Sequence, residues 1–221
     1  GEAGNHSWII CPWLMQRYLD YQTSHWLFRA GVGASRLENE FPPYARLRDA
    51  LRSTRAPPAV ALAQDLGFAG KQLKFFAAGI AYDDGPLQSQ LALSHAVSDA
   101  LSYPGNTAGY WSIGYRIGQW TPYFVYSRIK STPSDQRETG LPNTPPFEAI
   151  NAGVAEALSA NQANQYTLSL GIRYDFARDI DFKLQVDRIR SRGNPTLLWT
   201  DPDPEWDGRA TIVSATLDFI F

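Results

Sequence analysis

Apolar residues fall on every second position over long stretches of this chain, the period of a β-strand with one apolar face. The clearest run is 165–176. Tyr166, Leu168, Leu170, Ile172, Tyr174 and Phe176 take one face, and Thr167, Ser169, Gly171, Arg173 and Asp175 take the other. The closing stretch, 209–221, repeats the pattern: Val213, Ala215, Leu217, Phe219 and Phe221 alternate with Ser214, Thr216 and Asp218. Between 25 and 36, Trp26, Phe28, Ala30, Val32 and Ala34 oppose Arg29, Gly31, Gly33 and Ser35. From Gln72, Phe76, Ala78, Ile80 and Tyr82 oppose Phe75, Ala77, Gly79 and Asp83, and Leu87, Leu91 and Leu93 then oppose Gln88, Gln90 and Ser94. Trp111, Ile113, Tyr115 and Ile117 alternate with Tyr110, Ser112, Gly114 and Arg116, and Trp120, Pro122, Phe124 and Tyr126 with Thr121, Tyr123 and Ser127. Phe182, Leu184 and Val186 oppose Asp181, Lys183, Gln185 and Asp187. The aromatic stretch from Trp8 to Tyr18 predicts one more strand, with its alternation broken at Pro12.

The connections divide into two kinds. Asp84-Gly85, Gly118-Gln119 and Arg178-Asp179 mark tight turns, of the type that joins antiparallel neighbours. The stretches 37–69, 99–106, 131–163 and 193–207 are long loops, and short and long connections alternate. Within 37–69, Pro42-Pro43 and Pro57-Pro58 bracket a short helix, Tyr44 to Arg52, with Leu47 and Leu51 four apart and a solvated face of arginines. The Ala-rich half of the second long loop, Phe147 to Ala160, also predicts helix.

This is an all-β pattern: an antiparallel up-and-down barrel of about eight strands, one domain over 1–221. Tight turns at one end and long loops at the other are the habit of transmembrane barrels. A soluble barrel shares the alternation, but turned inside out, with its apolar face as core. Three features favour the membrane. The strands run about ten to twelve residues, enough for a tilted crossing. Aromatics collect at strand ends on the apolar face (Trp26, Tyr82, Trp111, Trp120, Tyr126, Tyr174, Phe176, Phe221), as in an interfacial girdle. The opposite face mixes charges of both signs with glycines.

Composition sharpens this picture without changing it. Net charge is -2 and charged residues make up only 19%, which gives no footprint for nucleic acid. Mean hydropathy is -0.31, and no apolar run is long enough for a membrane-spanning helix. The lone Cys11 cannot form an internal disulfide and has no basic partner pattern to activate it. Gly1 to Asn5 has neither the basic start nor the apolar core of a signal peptide. The expectation is therefore a mature form, or a piece of a longer chain.

Tyr166-Thr-Leu-Ser-Leu-Gly-Ile-Arg-Tyr-Asp-Phe176, Phe182-Lys-Leu-Gln-Val-Asp-Arg-Ile189 and Thr216-Leu-Asp-Phe-Ile-Phe221 resemble the end of Gram-negative porin-like outer-membrane proteins. Gly114-Tyr-Arg-Ile-Gly-Gln-Trp-Thr-Pro-Tyr123 fits the same picture, and the resemblance covers about 70–221. It implies a location in the bacterial outer membrane with a periplasmic C-terminus. It also implies that this chain is the C-terminal half of a barrel of about sixteen strands. The terminal strand, through Leu217, Phe219 and Phe221, looks like the signal that the barrel-assembly machinery reads. Homotrimers are common in such families, although the sequence carries no readable mark of one.

Strand number governs function, because eight strands leave an interior filled by side chains and sixteen leave an aqueous channel. In the larger barrel, Arg29, Arg116, Arg173 and Lys183 with Asp83, Asp175, Asp181, Asp187 and Asp218 line the pore, and their mixed signs imply weak selectivity. The alternative is that they pair with one another across strands. The expected function is passive diffusion of small hydrophilic solutes or ions, with outer-membrane lipid as surroundings and no cofactor. A rival is a small barrel with a filled lumen whose loops 37–69 and 131–163 bind a partner. An embedded enzyme is a further rival. His95 is its only candidate base, but Ser94 and Ser98 fall on the opposite face, and His6, His25 and His95 lack metal-ligand spacing.

Overall fold

The computed structural model describes residues 13–219, apart from 41, 102, 104, 133–137, 160–161, 193–198, 200–202 and 204. Nine strands form one antiparallel sheet in strict chain order. They are β1 (Trp13–Gln22), β2 (Trp26–Arg36), β3 (Gln72–Asp84), β4 (Leu87–Ser98), β5 (Asn106–Tyr115), β6 (Trp120–Ser131), β7 (Asn164–Ala177), β8 (Ile180–Ser191) and β9 (Arg209–Phe219). The fold is thus all-β, antiparallel and up-and-down, with nine strands rather than about eight. The first strand is described from Trp13, and the part of its predicted stretch from Trp8 to Pro12 lies outside the described residues. Its alternation is obscured because Tyr18 and Leu19 sit on opposite faces as two large apolar side chains in succession.

Short connections at 23–25, 85–86, 116–119 and 178–179 lie at one end, and long ones at 37–71, 99–105, 132–163 and 192–208 at the other. Gly118 takes a positive φ of 62° in its turn, a backbone shape that glycine adopts without a Cβ penalty. Among the described residues, β1 pairs only with β2 and β9 only with β8, so the sheet is not closed into a barrel there.

The long connections carry the helices. α1 (Pro42–Ser53) and α3 (Glu148–Ser159) fall where the sequence predicts them, and α2 (Pro57–Asp65) does not. Pro57-Pro58 reads as a breaker. Instead it opens α2, because proline in the first turn needs no N–H partner and presets φ. Leu51, Leu62, Leu66 and Leu158 form a hydrophobic core with Tyr44, Phe68, Val154 and Ala100. Three of the four long connections are therefore joined in one cap. Arg48 is not on a solvated face as expected. It is tied to Glu40, and its Nε donates to the Ala63 carbonyl at 2.8 Å. Glu40 also accepts from the Phe68 amide at 2.6 Å.

The sheet itself is inside out. Neighbours Ser169 and Leu170 show it: the serine is 6% exposed and the leucine 67%. Along β8, Asp181, Lys183, Gln185 and Asp187 are sheltered, while Phe182, Leu184 and Val186 are exposed. The sheet curls around its mixed face and presents its apolar face outward. That leaves large apolar side chains exposed on every strand, with no described residue packed over them.

Candidate functional site

Cross-strand partners share a face, so register fixes what each face carries. On the inner face near the short turns, Asp175, Asp181 and Asp218 stand in one row across β7, β8 and β9. Arg173, Lys183 and Thr216 form the next row inward. The two rows interlock. Arg173 Nε donates to Asp175 at 2.6 Å, its Nη2 lies 3.1 Å from Asp181, and Lys183 Nζ donates to Asp218 at 2.6 Å. Among the described residues, the buried Oδ1 of Asp181 accepts no hydrogen bond, and the Lys183 ammonium lies 3.5 Å from it.

One row further in, Gly114, Tyr123, Gly171 and Gln185 are aligned from β5 to β8. The Tyr123 ring lies across the β7 backbone at Gly171, where a Cβ would fall 2.3 Å from the ring. Only glycine leaves that room. The phenol then donates to Gln185 Oε1 at 2.8 Å, and Gln185 Nε2 donates to Asp187 at 2.7 Å.

Arg116 lies just beyond the end of β5, in the turn, and reaches back over β4 to Asp83 with two hydrogen bonds of 2.7 and 2.8 Å. The Asp83 hydrogen bond holds the Arg116 guanidinium above its ordinary pKa. Arg29 lies apart, on β2, in a second two-pronged pair with Asp20 of β1. Nearer the long connections the inner face turns apolar and small. Ala77, Gly79, Ala81, Ala92 and Ala108 floor a hollow of about 520 Å³ beside Tyr110.

The structure thus places Arg29, Asp83, Arg173, Asp175, Asp181, Lys183, Asp187 and Asp218 on the inner face, with Arg116 reaching it from the turn. All the bases are paired, as the cross-strand alternative expected. Asp20, Tyr123 and Gln185 belong to the same surface and were not singled out from sequence. Their signal was register: each shares a row with a residue that was. Leu217 and Phe219 face outward, and Phe221 lies outside the described residues. His95 faces outward, bonded to Thr107 at 2.9 Å, while Ser94 faces inward.

The outer face has two unlike rims. At the short-turn end aromatics meet: Trp26 and Tyr82 at 4.6 Å, Trp120 and Tyr174 stacked at 4.1 Å, and Tyr174 with Phe176 at 5.9 Å. Trp111 and Tyr126, expected in that girdle, instead pair with each other mid-strand. Toward the long connections the outer face is basic, with Arg17, Arg36, Lys74, Arg128, Lys130, Arg188, Arg190 and Arg209. Among the described residues its one strand acid, Asp84, lies at the opposite end.

No family model matches this sequence, and no curated protein matches it.

Proposed function

We propose that this chain is part of a porin-type channel of a bacterial outer membrane, passing small hydrophilic solutes or ions by diffusion. The inverted burial carries this reading: charged and hydroxylated side chains sheltered within the curl, leucines and aromatics exposed outside it. Lipid is the medium in which an apolar outer face of that extent is stable, and a closed sheet is one of two structures that satisfy the backbone there. In lipid the outer edges of β1 and β9 must also be covered, which further strands of a larger barrel would do. Nine strands alone would leave little free bore, whereas about sixteen would leave a channel.

The pore would conduct without strong preference. The inner face carries Asp20, Asp83, Asp175, Asp181, Asp187 and Asp218 against Arg29, Arg116, Arg173 and Lys183, an excess of two acids. A mild cation preference follows. No reaction and no cofactor belong to this reading. The joined cap of long connections favours a second role, presentation of a rigid outer surface to a partner. Conductance of the refolded chain in a planar lipid bilayer tests the main reading. Discrete, long-lived steps are expected, and silence from a chain shown to be folded and inserted contradicts an open pore.

A further inference from the structure

We infer that the outer face at the long-connection ends of β6, β8 and β9 is a binding site for the phosphate of an anionic lipid head group. This rests on the membrane reading above. Arg128, Tyr166, Arg190 and Arg209 form a single cross-strand row, each directly opposite the next. Arg190 and Arg209 are therefore like charges at the closest separation a sheet allows, about 5 Å between strands, an arrangement that destabilises the pair. Arg188 stands one step along β8 and donates to Thr211 at 2.7 Å. Lys130 stands one step along β6, on the rim side of Arg128.

Acid is scarce around this group. Arg209 has Asp207 at 3.5 Å. For Arg128, Lys130 and Arg190 no carboxylate partner occurs among the described residues. The acids of the sheet, Asp84 at the far end apart, instead face the lumen on the other side of the backbone, and the small net charge of the chain hides the separation. A bound anion would relieve the Arg190–Arg209 repulsion, and guanidinium groups match phosphate in two-pronged geometry. Its source follows from position. The row lies on the exposed face that also presents Leu168 and Val186, at the level where strand gives way to loop. Tyr166 in the row and Trp206, whose Nε1 donates to the Arg209 carbonyl at 2.8 Å, are residues suited to a membrane interface. A phosphorylated lipid presents its phosphate at that depth with acyl chains below it.

The test is native mass spectrometry of the delipidated chain, titrated with bisphosphorylated lipid A and with the same lipid after phosphatase treatment. Retention of the phosphorylated form alone is expected. Arg128→Gln, Arg190→Gln and Arg209→Gln should each weaken it about fivefold and the triple variant about a hundredfold, from the worth of a basic residue at an anionic surface. Arg52→Gln on α1, which removes the same charge elsewhere, should leave it unchanged. Equal retention of the two lipids, or a triple variant that binds like the parent, overturns the inference while leaving the membrane reading intact. Displacement of the lipid by equimolar inorganic phosphate overturns the assignment to a head group. A chain that fails to enter phosphatidylcholine vesicles overturns both.

Discussion

Arg116 grips Asp83 across an intervening strand, Nη1 to Oδ1 at 2.7 Å and Nη2 to Oδ2 at 2.8 Å, and also donates to the Gly85 carbonyl at 3.0 Å. The pair fastens two neighbouring turns on the inner face. It is partly exposed, so its worth to stability is within about 1 kcal/mol. Its consequence is electrical. Arg116→Gln should leave folding intact and uncover the Asp83 carboxylate. A reversal potential under a salt gradient should then move toward cation preference, and an unmoved potential would place the pair outside the ion path.

Lys183 holds a larger position. It joins Asp218 at 2.6 Å and Asp181 at 3.5 Å, beside Arg173. Lys183→Gln leaves three aspartates served by one arginine, and Asp181 is the most sheltered of them. The same potential measurement should show a larger cation shift than Arg116→Gln. Thermal stability should also fall by about 1–3 kcal/mol, because a sheltered carboxylate loses a charged partner.

Gly171 makes room for Tyr123. A methyl group there meets the ring edge and hydroxyl rather than backbone, so Gly171→Ala should swing the ring off β7 without breaking the strand. The Tyr123–Gln185 hydrogen bond is then lost. The expected result is a wider lumen, read as higher unit conductance, with unchanged β content by circular dichroism. Lower conductance would mean that the displaced ring turns into the path.

The cap has its own core, and Leu51 is fully buried in it. Leu51→Ala should cost about 2–5 kcal/mol locally. Limited proteolysis should open the connections at 37–71 and 132–163 while the strands stay protected. Strands lost together with the cap would show that the two fold as one unit.

Much of the sheet was legible in the sequence because period-two alternation survives wherever one face is uniformly apolar, as from Tyr166 to Phe176. Turns at Gly85, Gly118 and Arg178–Asp179 were legible because their residues suit tight geometry. β1 was legible as a strand but not in its faces or its end, since Tyr18 places an aromatic on the inner face and Arg17 a charge on the outer one. α2 was missed because a proline pair reads equally as an end or a beginning. The charged inner residues could be named, but not their pairing. Asp20 meets Arg29, and Arg116 meets Asp83, only through a register that alternation alone does not fix. The basic rim was missed for a related reason: its cations lie singly or in twos on separate strands, and only the register gathers them on one face.

In the proposed channel the exposed apolar face meets lipid while the sheltered face meets water. The most direct test places spin labels at Leu170 and Ser169, one at a time, in a Cys11→Ser background. Each is read in lipid vesicles for relaxation by oxygen, which concentrates in the bilayer, and by a water-soluble nickel chelate. Strong oxygen relaxation is expected at Leu170 and strong nickel relaxation at Ser169. Nickel access at Leu170 with Ser169 shielded from both would contradict it.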